Sequence, residues 1–233
     1  MSIMLDAFTE GLPLLGLNVE DSAARKLCDF GEAVVEQNKV MNLTAITEPE
    51  KVAKLHLLDS LSVLKGIDLA GKKVIDVGCG AGFPGVPLKI ACPTMELTLL
   101  DSLGKRMKWL ETILPQLGVE AECVTARAEE AVVSRRESYD VATSRAVARL
   151  NVLLELTAPY VKVGGFVAAM KGTAMEEELA EAKNAISKLG LKLEKTLVFP
   201  MDGTNHTLIL LKKVKPTPTQ YPRKFAKIKQ SPL

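Results

Sequence analysis

A chain of 233 residues, 47% hydrophobic and 25% charged, is long enough to bury a core as one domain, or as one domain with a small addition. Its formal charge of +2 neither demands nor excludes a nucleic-acid partner. The four cysteines, Cys28, Cys79, Cys92 and Cys123, form no CxxC pair and have no spacing that fits a metal site or a disulfide framework. The opening MSIMLDAFTE has no apolar run long enough for a signal peptide or a membrane span, so a reduced cytoplasmic setting with no membrane and no metal is expected.

Residues 1–65 read as a helical extension, with residues 66–233 as the main domain. Leu27, Phe30 and Val34 recur at helical spacing after a polar start at Asn18 to Asp21, which predicts one amphipathic helix. Thr47 with Glu50 matches a capping box, Pro49 falls in the first turn, and Val52, Leu55, Leu58 and Leu61 continue the apolar stripe of a second helix. His56 and Asp59 lie three apart on that helix and can pair on one face; a structural hydrogen bond is the simpler account, a catalytic dyad the sharper one.

From Lys72 the pattern changes to short β-branched runs alternating with helical stretches, as βαβ units do. Strands are predicted at Lys73–Val77, Glu96–Leu100, Glu122–Thr125, Asp140–Thr143, Phe166–Met170, Leu193–Phe199 and Thr207–Lys212. The last two are separated only by the turn-like run Pro200 to Asn205, too short for a parallel crossover, so they must be antiparallel. The expected fold is α/β, a doubly wound, mostly parallel seven-stranded sheet whose C-terminal strand is antiparallel. His206, before the last strand, reads as a turn residue. The end of the chain from Pro216 is rich in Pro, Thr and Lys, and no Asp or Glu follows Asp202, so that end favours anions.

The central chemical signal is Asp76-Val77-Gly78-Cys79-Gly80-Ala81-Gly82. It leaves a strand and enters a helix, where glycines let the backbone turn tightly and approach a nucleotide-like ligand. Read from Gly80 through Gly82 and Gly85, the stretch also fits GxGxxG, so a dinucleotide site competes. Asp101 ends the second strand, where a carboxylate can accept both ribose hydroxyls of either cofactor. Asp76 separates the two readings, since a carboxylate there can order the loop or reach the amine of a methionine moiety through water, while it repels a pyrophosphate. The antiparallel final pair favours a methyltransferase by analogy. Ala128 and Glu129 follow the third strand, placed either to meet an adenine or as an ordinary helix start. Arg145, in Ser144-Arg145-Ala146, stands at the carboxyl end of the fourth strand, where doubly wound folds place ligands. Lys171, after the fifth strand, is either a site residue or a solvated strand-end lysine. Arg145 and Lys171 are the candidate catalytic residues. Nowhere do Ser, Cys, His and Asp form a nucleophile arrangement.

With those residues in view, the chain resembles the glucose-inhibited division protein B family, the ribosomal RNA small-subunit methyltransferases G. The resemblance rests on Asn42 to Ile46, His56 to Leu61, Asp76 to Leu88, Asp101 to Arg106, Arg127 to Glu129, Ser144 to Ala146 and Tyr221 to Lys224. It implies a Rossmann-like class I methyltransferase with S-adenosylmethionine as cofactor. The implied reaction is transfer of a methyl to N7 of a guanine in the 530-loop region of small-subunit (16S) ribosomal RNA, naked or within the small ribosomal subunit. Cofactor contacts are implied at Gly78, Phe83, Ala128, Glu129 and Arg145, with Asp101 on the ribose side; Asp76, Gly80 and Gly82 complete the candidate cofactor set. RNA contacts are expected from Lys105, Arg106, Lys171, Arg223 and Lys224 through phosphates, and the chain is expected to act as a monomer. A methyltransferase for a small molecule, a nicotinamide-dependent oxidoreductase and a nucleotide-binding module without catalysis are the competing readings.

Overall fold

The computed structural model describes residues 2–233. Two long helices open it, α1 (Ile3–Leu15) and α2 (Asp21–Asn38). The first was not distinguished in the sequence pattern; it starts at Ser2, whose hydroxyl accepts from the Leu5 amide, and stops at Gly16 in the left-handed conformation. The predicted second helix is not one regular helix. It runs as α3 (Pro49–Val52), a π-helical segment Ala53–Leu58, α4 (Asp59–Leu61) and a 3₁₀ turn Ser62–Lys65. The expected capping box does not form: Glu48 is the N-cap and makes no side-chain cap bond.

The remaining elements alternate. They are β1 (Lys73–Val77), α5 (Gly85–Ala91), β2 (Glu96–Asp101), α6 (Gly104–Gln116), β3 (Glu122–Thr125), α7 (Ala128–Ala131), β4 (Tyr139–Arg145) and α8 (Leu150–Thr157). Then follow β5 (Val161–Lys171), the short helices α9 (Met175–Glu181) and α10 (Lys183–Lys188), the strands β6 (Leu191–Met201) and β7 (Thr204–Lys213), and α11 (Phe225–Gln230). Residues 175–188 thus form two short helices, and the Pro/Thr/Lys-rich end carries a helix of its own. The sheet order is β3-β2-β1-β4-β5-β7-β6. The five strands β1 to β5 are mutually parallel, and β7 is antiparallel to both β5 and β6. The β6–β7 turn is Asp202-Gly203, both at positive φ (48° and 78°), the backbone that two-residue hairpins require.

Both sheet faces are covered, which is why the central strands are mostly apolar, with Asp76, Thr98, Thr143 and Ser144 as buried polar exceptions. Val74, Leu97, Val141, Ala168 and Leu208 point into a core shared with α1, α2, α5 and α6. Their strand neighbours Ile75, Leu100, Ala142, Val167 and Ile209 point into a second core beneath α8 and α10, as the two-residue strand period dictates. The opening helices share the first core with the sheet: Phe30 of α2 packs on Phe83, ring centroids 5.2 Å apart.

Candidate active site

The chain leaves β1 through a loop wedged against the end of β2. The amides of Gly78 and Cys79 donate to the Leu100 carbonyl at 2.8 and 3.1 Å. Asp101 holds the same loop, its carboxylate accepting from the amide of Gly80 at 3.0 Å and of Leu103 at 2.8 Å. Gly78 has φ 72°, and a Cβ there would meet the Val147 side chain at 2.6 Å, so glycine is required by both conformation and space. Gly82 (φ 98°) is a packing glycine, because a Cβ would meet Val86, Leu110 and Phe30. Below the loop, fully buried Asp76 accepts from the Gly85 amide at 2.8 Å through one oxygen, while Oδ1 has no hydrogen-bond partner. Burial pushes this carboxyl up to about 7, the Gly85 bond and the Arg145 charge opposing it.

A second cluster faces the loop. Arg145, the last residue of β4, donates to Asp59 and to the Leu55 carbonyl, both at 3.0 Å, and meets His56 Nδ1 at 3.2 Å. Its guanidinium lies 5.0 Å over the Phe83 ring, on which His56 also stacks at 4.8 Å. Thr44 meets His56 Nε2 at 2.7 Å. Burial, then the Arg145 charge, lowers the His56 imidazole to about 4, so it is neutral near pH 7. The other Asp59 oxygen pairs with His206 Nδ1 at 2.8 Å, and this bond raises the His206 pKa. His56 and Asp59 therefore do not pair directly; Arg145 stands between them. His206 is not in a turn but in β7, and because β7 is antiparallel its first residues reach the carboxyl ends of the parallel strands.

Between loop and cluster opens a cavity of about 730 Å³, within the range of small-molecule sites. Gly78, Gly80, Phe83, Asp101, Ala128, Glu129, Arg106, Arg145 and Lys171 line it. Asp76 and Gly82 do not: the first sits under the loop and the second packs behind it. Lys105 is exposed away from the wall. Lys171 is no solvated lysine, since it pairs with Glu178 at 2.7 Å and donates to the Ala148 carbonyl. Arg223 is likewise committed, donating to fully buried Glu155 at 2.6 and 2.8 Å, so it is not available for the expected phosphate contact. Lys224 is exposed. Sequence reasoning missed Thr44, His206, Arg127 and Phe225, all in the wall. None lies on a periodic stripe: Thr44 is in the loop after α2 and Arg127 in the loop after β3, while β7 and the tail bring His206 and Phe225 from distant segments. Among the described residues no group of three His, Cys, Asp or Glu can hold a metal ion, and no helix is long and apolar enough to cross a membrane.

The cavity fits S-adenosylmethionine. The wall at Gly78 and Gly80 is bare backbone, Asp101 keeps a lone pair on each oxygen for ribose hydroxyls, and the orphaned Asp76 Oδ1 lies behind the loop where a water or ammonium group would satisfy it. Asp76 lies outside the cavity wall with its carboxyl raised to about 7, so it does not supply the charge repulsion of a pyrophosphate expected of it. Fold and site together define a Rossmann-like class I methyltransferase. The fold is similar to that of M. jannaschii TYW2, solved in complex with AdoMet, at a TM-score of 0.56 and 15% identity over 68% of this chain and 76% of that one. It is also similar to a 16S rRNA (adenine(1408)-N(1))-methyltransferase from Catenulisporales acidiphilia, at a TM-score of 0.53 and 17% identity over 64% and 88%. The family model GidB, described as rRNA small subunit methyltransferase G, matches residues 23–207. The ribosomal RNA small subunit methyltransferase G of Alkaliphilus metalliredigens (strain QYMF) is 44% identical over 230 residues, 96% of each chain. The chain belongs to this family and is an S-adenosylmethionine-dependent rRNA methyltransferase.

Proposed function

We propose that the chain methylates N7 of a guanine in the 530-loop region of 16S ribosomal RNA, acting as a monomer in the cytoplasm on the small ribosomal subunit or its RNA. The observation that carries this reading is the two-ended cavity, with a glycine-lined end at β1 and β2 facing the Arg145 cluster. S-adenosylmethionine supplies a methyl group on a cationic sulfur, open to attack by a lone pair. Guanine N7 has such a lone pair and no proton, so no side chain need act as a base before transfer. The task left to the protein is alignment.

In this reading Gly78 and Gly80 let the loop backbone lie against the cofactor, Asp101 accepts the ribose hydroxyls, and Ala128 and Glu129 flank the adenine. Asp76 holds the loop from below through Gly85. Arg145, fixed by Asp59, His56 and the Leu55 carbonyl, orients the base or the cofactor carboxylate; Lys171, tied to Glu178, shapes the same wall. The target guanine must leave its stack to enter the cavity, which suits a loop nucleotide. Phosphate contacts fall to Lys105, Arg106 and Lys224, with Arg127 added at the rim.

The test incubates the protein and methyl-labelled S-adenosylmethionine with unmethylated small subunits, and in parallel with naked RNA, then identifies the labelled nucleoside by mass spectrometry. Labelled 7-methylguanosine is expected. Label on another nucleoside or position would refute the N7 assignment, and label on naked RNA alone would refute the subunit as substrate.

A further inference from the structure

After β7 the chain stands at the amino ends of the parallel strands, since Phe166 of β5 pairs with Lys212. It does not end there. Lys213, fully buried, donates to the Ala158 and Val161 carbonyls at 2.7 and 3.0 Å and pairs with Glu137 at 3.2 Å. Glu137 also accepts from the Thr217 amide at 2.9 Å, the Thr217 hydroxyl donates to the Leu189 carbonyl at 3.0 Å, and Arg136 donates to the carbonyls of Thr217 and Tyr221. The strap then climbs along α8. Glu155, wholly buried in that helix, has Arg223 as its one charge partner among the described residues, reached through Nε, Nη2 and the Arg223 backbone amide.

This latch places α11 against the top of α8. Ile228 is buried with Val152 and Leu156, and Phe225 packs in the same cluster with Ala128 and Ala148. Phe225, Ala128 and Leu156 all line the cavity. Phe225 packs with Ala128, which follows β3, and with Ala148 in the loop after β4, so it gives the cavity an apolar surface beside the Ala128–Glu129 segment assigned to the adenine.

We infer that the C-terminal strap is part of the cofactor site, with Phe225 the positioning residue that packs the adenine end and the Arg223–Glu155 pair the latch that holds it there. This rests on the cofactor assignment and not on which base is methylated. The strap is thus more than a basic arm for RNA. Its lysines, Lys224, Lys227 and Lys229, are exposed on the same element, of which Phe225 alone lines the cavity.

The experiment measures S-adenosylhomocysteine affinity by calorimetry, so it does not depend on the RNA product. Phe225→Ala is expected to weaken binding roughly five- to tenfold, the effect of removing part of an aromatic surface from the ligand, with Phe225→Tyr restoring most of it. At saturating S-adenosylmethionine the KM for the RNA substrate should stay unchanged in both variants. In the unaltered protein, amide exchange of residues 221–230 should slow when S-adenosylhomocysteine is added. An unchanged Kd in folded Phe225→Ala overturns the inference, as does protection of the Gly78 to Ala81 loop without protection of 221–230. Failure of the 7-methylguanosine assay with cofactor binding intact would instead strike the N7 reading and leave this one standing.

Discussion

Arg145 makes its closest polar contacts inside the protein, to Asp59, His56 and the Leu55 carbonyl, and only about a sixth of its side chain is exposed. A guanidinium held at three points has little freedom left, which is what a positioning role needs. Arg145→Ala should lower methyl transfer about a hundredfold, because the reacting groups are no longer aligned. It should also cost about 2 kcal/mol of stability, because Asp59 stays buried with only His206 to answer its charge; turnover assays and urea unfolding read the two effects separately. Asp76 gives a pH prediction. Its folded pKa of about 7 lies above the ordinary 3.8, so between those values the folded state holds a proton that the unfolded state has lost. Stability from this group is therefore full below about pH 4 and is lost as pH rises through about 7, a change on the order of 4 kcal/mol. Asp76→Asn cannot ionise, so the melting temperature of the variant minus that of the parent, with no cofactor, should rise from pH 5 to pH 8. A flat difference would show that Asp76 is not held protonated.

At the level of elements, the strap and the final hairpin do what the parallel strands cannot. The hairpin turns at Asp202-Gly203 and carries His206 to the site, while the strap returns from the amino ends of the parallel strands to bring Phe225 there. Arg223→Ala leaves Glu155 without a partner in the core, and breaking a buried ion pair from one side costs about 3 kcal/mol or more. The variant should melt lower and its tail should be cut sooner by limited proteolysis. Arg223→Ala with Glu155→Leu, which removes both charges, should recover much of the melting temperature without restoring the latch. The element boundaries were largely legible in the chain: the seven strands are where alternation and β-branching predicted them, most extended by a few residues. The π-helical stretch Ala53–Leu58 was not, because its apolar spacing is also that of an ordinary helix and the departure is set by packing on α1 and Phe83.

Taken whole, the molecule has a near-neutral total charge and an end free of acidic residues, so its affinity for RNA depends on where the basic groups lie. Lys171 and Arg223 are answered by Glu178 and Glu155, whereas Lys105 and Lys224 are exposed. Removing Lys105 and Arg106 together should reduce the salt dependence of the RNA KM, by about 0.7 in the log–log slope for each phosphate left unneutralised. Replacing Arg223 should change that slope little beyond what displacement of the tail causes in Lys224.

Local sequence determined the α/β alternation, the glycine loop after β1, the acid at the end of β2 and the antiparallel close of the sheet, since each follows from periodicity, turn chemistry or connection length within a few neighbouring residues. Resemblance carried the cofactor and substrate class from the same short blocks. Only the tertiary structure decided which side chains act and which are already engaged. Arg145 meets Asp59 across 86 positions, Asp59 meets His206 across 147, and Arg223 meets Glu155 across 68. Such pairings are set by the order of strands in the sheet and the path of the strap, and a buried charge is silent in the sequence until its partner's position in space is known.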